Sequence, residues 1–338
     1  AHGDFMSVVN QLPDVDQPSL FGLPPNIERV VQQANSARIT SQLKTMATAD
    51  VAASGWDRER MAAQLEPVLR LWATLTGGTP VLKPARGLAR AAALQQPVDA
   101  FIAMEAEGAL GVVSMVHAAL EAVGRALRGQ DLLTSDVKRT ATALAGGNVP
   151  EAWDARWEGP DAPPLWLQAV AKKKLAIDAW LDRAVQGETL SEPVSLSAMF
   201  NPGVFLNALR QQTARASRVA VDELKLVCSW GDGAARGAAG ALPCTIAGLA
   251  LQGALFTAGS NLVEARLDTP TVVGVPHCTI SYIPRGDEDP LPDKASVALP
   301  VYDGLDRAKF LCQLRMPCKA GEQDKWVLCG AAIFISAE

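Results

Sequence analysis

An α+β chain is predicted, with an N-terminal all-helical part followed by an antiparallel β-barrel. Three observations predict it. Up to about residue 220, apolar residues recur at three- and four-residue steps, the period of a helix face. Beyond it, short apolar segments alternate with Gly, Pro, Asn and Asp clusters, the pattern of consecutive strands in a barrel or sandwich. All six cysteines, 228, 244, 278, 312, 318 and 329, fall in that last third, in strand-like surroundings.

In sequence order, Pro24-Pro25 and Asn26 open a helix over 26–47, with Ile27, Val31, Ala34, Ile39, Leu43 and Met46 on one face. Met61, Leu65, Val68, Trp72 and Leu75 mark residues 57–76, which Pro67 is expected to split in two. The run from Thr76 to Pro84 reads as a loop and a subdomain boundary. A long helix starts at Pro97, buries Phe101, Met104, Val112, Met115, Val116, Leu120, Val123 and Leu127, and stops at Gly129. Ser135 caps a helix to about Ala145, ended by Gly146-Gly147. Pro163-Pro164 opens another, with Val170, Ile177, Trp180, Leu181 and Ala184 inward and Lys172-Lys173-Lys174 as a solvated turn. Asn201 caps the last helix and Pro202 takes its first position, where a missing N–H costs nothing. Phe205, Leu206 and Leu209 form its apolar stripe, with Arg210 and Arg215 off it. Gly231 to Gly240 reads as a flexible loop. Strand-like segments then fall near 243–257, 271–283, 296–302, 309–316 and 325–336.

The composition excludes several classes of function. The protein has 338 residues, 49% apolar and 20% charged, so it is expected to fold into two or three domains with real cores. A net charge of −5 without a long basic run argues against nucleic acid and against anionic lipid. No uninterrupted apolar run is long enough to suggest a membrane span. The start, Ala1-His2-Gly3-Asp4, lacks a signal-peptide build-up and an initiator Met, so a piece of something larger is expected. Without a C-x-x-C pair, the cysteines read as reduced core residues of a cytosolic protein.

A search for chemistry returns little. A phosphate loop needs G-x-x-x-x-G-K-[ST], so that amides, a lysine and a hydroxyl converge; no such string occurs. Gly231-Asp232-Gly233 has no suitable third glycine. His117 sits near an apolar stripe and reads as a packing residue. His277 and Cys278 are adjacent, and strand neighbours point to opposite faces, which separates an imidazole from a thiolate. Glu105 and Glu107 point to different helix faces. Asp287, Glu288 and Asp289 form a solvated acidic loop. Trp153 and Trp157, four apart, read as wedges between helices or at an interdomain surface, since the single Arg156 between them is too little basic interleaving for a stacking platform.

The block Phe200-Asn201-Pro202-Gly203-Val204-Phe205-Leu206-Asn207-Ala208-Leu209-Arg210-Gln211-Gln212-Thr213-Ala214-Arg215 resembles a string in the C-terminal region of dynein heavy chains. The resemblance continues in order with Leu299-Pro300-Val301-Tyr302, followed by Arg307, and with Asp324-Lys325-Trp326 through Ile335. Earlier, Leu20-Phe21-Gly22-Leu23-Pro24 sits where that family has its phenylalanine-glycine-leucine signature, with Pro24 in place of a common histidine. Trp157-Glu158-Gly159-Pro160, Phe205 to Gln211 and Ile283-Pro284 to Tyr302 resemble the cytoplasmic type 2 branch. The alanines of 231–241 depart from the pattern.

By that resemblance, residues 1–85 correspond to the end of a sixth AAA+ module, chiefly its small helical subdomain. Residues 86–225 correspond to the helical part of the C-terminal domain, and 226–338 to its β-barrel. The implied role is noncatalytic: packing on a motor ring and tuning the force and processivity of a minus-end-directed microtubule motor for retrograde intraflagellar transport. The resemblance implies no cofactor in this segment, with ATP and Mg bound in other modules. It implies the rest of the ring, intermediate and light intermediate chains and microtubules as partners, in cytoplasm, cytoskeleton and cilium or flagellum. Its structural or interaction candidates are Phe21, Trp153, Trp157, Phe205, Leu209, Arg210, Arg215, Tyr302 and Trp326. The alternatives are an adaptor binding another dynein or ciliary subunit through an exposed tryptophan, and a free-standing enzyme using Cys278 or an aspartate.

Overall fold

A computed structural model describes residues 29–30, 32–33, 35–40, 43, 56–91, 94–231, 242–256, 261–264 and 272–335. Five long helices precede most of the strands. They are α1 (Arg58–Thr76), α2 (Pro97–Leu127), α3 (Ser135–Ala145), α4 (Pro163–Ala184) and α5 (Pro202–Ser217). The described part of 29–43 is helical too. Asp57 caps α1, accepting from the Glu59 and Arg60 amides at 3.1 and 3.2 Å. Pro67 does not split this helix. Pro67 and Ala63 are both exposed, so water can take the Ala63 carbonyl that Pro67 cannot serve. The α3 cap lies one residue earlier than expected: the Thr134 hydroxyl accepts from Val137 N at 3.3 Å.

The helix α2 is the spine. By length and composition it is apolar enough to cross a membrane, with a mean hydropathy of 1.4 over its richest window. Its buried residues instead pack against α1, α3, α4 and α5. Met104, expected inside, is 52% exposed. Buried side chains form two cores that share α2 and α4. Met61, Leu65 and Trp72 of α1 meet Val116 and Leu120 of α2, Leu144 of α3 and Trp166 of α4 in the first. Phe101 of α2, Leu181 of α4 and Phe205 and Leu209 of α5 meet the strands in the second.

The strands are β1 (Val194–Ser195), β2 (Leu224–Trp230), β3 (Cys244–Ala247), β4 (Ala250–Gln252), β5 (Val272–Gly274), β6 (Cys278–Pro284), β7 (Ser296–Tyr302), β8 (Phe310–Pro317) and β9 (Ala332–Phe334). They do not form the closed antiparallel barrel that the sequence pattern predicts. Among the described residues they make two open sheets, ordered β1-β3-β6-β2 and β5-β4-β9-β7-β8. Both sheets are mixed, because β1–β3 and β7–β9 pair in parallel. The edge strands β2 and β8 meet through side chains: Trp230 Nε1 and Cys228 Sγ donate to the Arg315 carbonyl, at 2.7 and 3.2 Å. At the opposite corner the backbone bends from β3 into β4 at Gly248, whose φ of +76° favours glycine. Val275 N donates to Leu249 O there, at 3.0 Å. Alternation reports which side of a strand is buried; whether the last strand hydrogen-bonds to the first depends on tilt and stagger, which alternation does not encode. The segment 325–336 is also corrected: a short helix, α6 (Gln323–Leu328), carries Trp326, and only its end is the strand β9.

Candidate functional site at the joint between helices and sheets

The start of α5 is built by a residue far away in sequence. Asn201 occupies the cap position but makes no side-chain cap bond to the helix amides, contrary to expectation. Instead the buried Glu105 of α2, 3% exposed, accepts from Phe200 N at 2.8 Å and from Asn201 Nδ2 at 2.7 Å. A carboxylate held beside the N-terminal end of a helix complements its positive pole. One turn on, the Phe205 ring lies 5.9 Å from Phe101 and 5.5 Å from Trp180. Phe205 and Leu209 are both fully buried.

The expected solvated lysine turn is largely inside. Lys172 is exposed, but Lys174 has 0% exposure, pairs with Asp178 and donates to Lys83 O at 3.0 Å. Lys173 Nζ donates to the carbonyls of Ser197 and Met199 at 2.5 and 2.6 Å. Its ammonium also lies 5.0 Å from the Trp157 ring centroid and 5.7 Å from that of Phe200. Burial pushes the Lys173 ammonium down to about 8, against the opposing pull of Asp303 and Glu105. One side chain thus ties α4, the Trp157 turn and the linker into α5. The burial of Lys174 had a signal in the sequence: it shares one helical face with the apolar residues 170, 177 and 181.

The tryptophans pack inward. Trp153 stacks on Trp166 at 5.4 Å, Trp157 lies 5.8 Å from Trp166, and Trp157 meets Phe200 edge-on at 5.6 Å. The Trp157-Glu158-Gly159-Pro160 string has a steric reason. A Cβ on Gly159 would fall inside contact distance of the Trp157 ring. Glu158 then pairs with Lys309, at 2.7 Å, across to the sheet side. Gly159→Ala is expected to cost about 1–3 kcal/mol by overpacking, read in urea denaturation followed by tryptophan fluorescence. Stability and emission both equal to the parent would refute this placement.

The remaining sequence candidates are spread out. Arg210 Nη2 reaches Leu224 O at 3.4 Å and lies 4.0 Å from Asp222. Arg215 Nη1 reaches Gln95 O at 3.4 Å. Tyr302 lies 6.1 Å from the Phe334 ring. Arg307 covers both rings, at 5.9 and 5.6 Å, and donates to Gln252 Oε1 and Gly330 O at 3.0 and 2.8 Å. Trp326 is 1% exposed, with the Lys325 ammonium 5.0 Å from its ring centroid. Phe21 lies outside the described residues, as does the glycine-rich run beyond Gly231.

The chemistry at Cys278 runs against a nucleophile. It is fully buried, and burial with the neighbouring Cys228 holds its thiol well above the ordinary value. His117 accepts from Trp72 Nε1 at 3.2 Å, a packing role. Among the described residues no cluster of His, Cys, Asp and Glu could hold a metal ion. Among the described residues, open surface depressions of about 600 and 480 Å³ lie away from the joint.

Comparison with known proteins gives a consistent answer. The family model for the C-terminal domain of the dynein heavy chain matches residues 33–335. The protein is 39% identical over 333 residues to cytoplasmic dynein 2 heavy chain 1 of Tripneustes gratilla, and 38% identical over 347 and 339 residues to the proteins of that name in Chlamydomonas reinhardtii and Homo sapiens. Each alignment takes in 98% of this sequence and 8% of the relative, so the sequence spans about a twelfth of their length. The family match and these identities agree with a fold whose signature strings build its helix–sheet joint: the protein belongs to the family of C-terminal domains of dynein heavy chains.

Proposed function

We propose that this protein is a noncatalytic regulatory and structural segment of a dynein heavy chain. It packs on the AAA+ motor ring and tunes the force and processivity of a minus-end-directed microtubule motor for retrograde intraflagellar transport. In this reading residues 1–85 end the sixth module, 86–225 form the helical part of the C-terminal domain, and 226–338 form its strand-rich part. ATP and Mg act in other modules, and the intermediate chains, light intermediate chains and microtubules are reached through the full-length motor. The setting is cytoplasm, cytoskeleton and cilium.

The observation that carries the reading is the joint. Lys173 and Glu105 tie α4 and α2 to the segment leading into α5, the exposed Glu158–Lys309 pair reaches the residue before β8, and the core that α2, α4 and α5 share takes in the strands. A body tied this way resists shear between its parts, so its contacts with a ring would raise the free energy of ring rearrangement. The names of the relatives supply the motor context.

The test is deletion of residues 86–338 from the full-length motor, with run length and stall force measured on single molecules. Both are expected to change while microtubule-stimulated ATP turnover persists. Unchanged motility would sink the regulatory reading.

A further inference from the structure

The C-terminal end of α5 borders a shallow groove that is open to solvent. Gln211, Ala214, Arg215, Arg218, Val219 and Val221 line about 600 Å³ of open space. Ala214 is buried and both valines are half-buried, which makes an apolar floor. Two exposed arginines stand over it. Arg215 spends one Nη1 bond on Gln95 O, at 3.4 Å, and is in no ion pair among the described residues. Arg218 has neither an ion pair nor a hydrogen bond among them. The nearby Asp222 carboxylate is directed at Arg210 instead, at 4.0 Å.

Arg218 also holds a left-handed backbone, with φ of +57°, at a helix end where glycine is favoured. A cation at a helix C-terminus complements the dipole, and Arg215 in the last turn already does so. The second guanidinium, on a residue poorly suited to its backbone, is not explained by the helix. Two guanidiniums outside any ion pair among the described residues stand beside an apolar floor, and with Arg210 they outnumber the exposed Asp222 and Glu223 of the same corner by one charge. The planar fork of a guanidinium matches a carboxylate, in pairs of parallel hydrogen bonds.

We infer that this groove docks an acidic segment of the same heavy chain, one that places an Asp or Glu between the two arginines and an apolar residue on Val219 and Val221. The sequence spans 8% of its relatives' length, and in the ring-packing reading the rest of such a heavy chain supplies the docked segment. The inference rests on the ring-packing reading above and adds the contact that carries it.

The test is photo-crosslinking in the full-length heavy chain, with p-benzoylphenylalanine replacing the exposed Gln211. An adduct is expected within the same heavy chain, in a peptide carrying Asp or Glu. Its yield should fall about tenfold in Arg215→Glu/Arg218→Glu, since charge reversal opposes the docked carboxylate. Arg218→Gly should also lower the yield; it suits the left-handed backbone, so that loss cannot be ascribed to misfolding. Absence of an adduct, an adduct to another polypeptide or to a peptide without acidic residues, or a yield indifferent to charge reversal would each overturn the inference. If the groove fails while deletion of 86–338 still alters motility, only the contact is wrong. If the deletion changes nothing, the ring-tuning reading falls instead.

Discussion

Glu105→Ala is expected to lower the unfolding free energy by about 3 kcal/mol. The carboxylate is 3% exposed and accepts two short bonds, from Phe200 N and Asn201 Nδ2. Hydrogen bonds to a charged group contribute roughly 1.5–3 kcal/mol each, and the donors left behind would be poorly placed for water. Against a total stability of about 5–15 kcal/mol for a typical domain, such a loss is large. Glu105→Gln should cost less, because it keeps the shape and one acceptor while turning an NH₂ toward a donor. A double-mutant cycle of Glu105→Ala with Asn201→Ala should give a coupling of about 1–2 kcal/mol. Additive losses in urea denaturation would show that the bond to Asn201 contributes nothing, and the assignment of Glu105 as the anchor of α5 would fall.

Lys173→Met should give a penalty that grows with pH. In the folded protein the Lys173 ammonium titrates near 8, below its ordinary 10.5, chiefly through burial. Between those values the unfolded state binds more protons than the folded one, so the lysine's contribution to stability rises with pH. It is fully present above 10.5 and is lost as pH falls through 8. The gap corresponds to about 3 kcal/mol. Chemistry supports the sign: a neutral amine keeps two N–H donors for the Ser197 and Met199 carbonyls, without the cost of a buried charge. Glu105 and Asp303 oppose the effect and Lys172 adds to it. The difference in unfolding free energy between parent and Lys173→Met should therefore be about 2–3 kcal/mol larger near pH 10 than at pH 7. Taking the difference cancels the other groups that titrate in this range. A pH-independent difference would mean that Lys173 is solvated in the folded state.

The helices are legible because their signals are local. Pro97, Pro163 and Pro202 open three of them where the sequence places them, and Gly129, with φ of +72°, follows the longest. The inward stripe of Phe205, Leu206 and Leu209 follows from period alone. The strand-rich part is legible as strands but not as a topology. β2 gives no separate signal because Leu224 to Trp230 follows directly on a helical stretch, and α6 is hidden in a strand-like run around Trp326.

The joint is legible only as strings. Trp157-Glu158-Gly159-Pro160 and the block from Phe200 mark positions without saying what they touch. The Trp157 ring folding onto Gly159, Glu105 reaching across 95 and 96 positions to Phe200 and Asn201, and Lys173 turning inward are outcomes of packing. A run of three lysines reads as solvent-facing because charge is costly to bury, and nothing local reveals that carbonyls and aromatic rings await Lys173, or a carbonyl and a carboxylate Lys174.

The sequence by itself therefore determined the long helices from Pro97 onward, the change to strands near residue 220 and the family, since each rests on local periodicity, end signals or ordered strings. The tertiary structure alone decided that the sheets stay open, that Glu105 anchors α5, and that Lys173 holds helices and linker together. Those outcomes depend on which distant groups meet, and on how burial alters the cost of a charge once they have met.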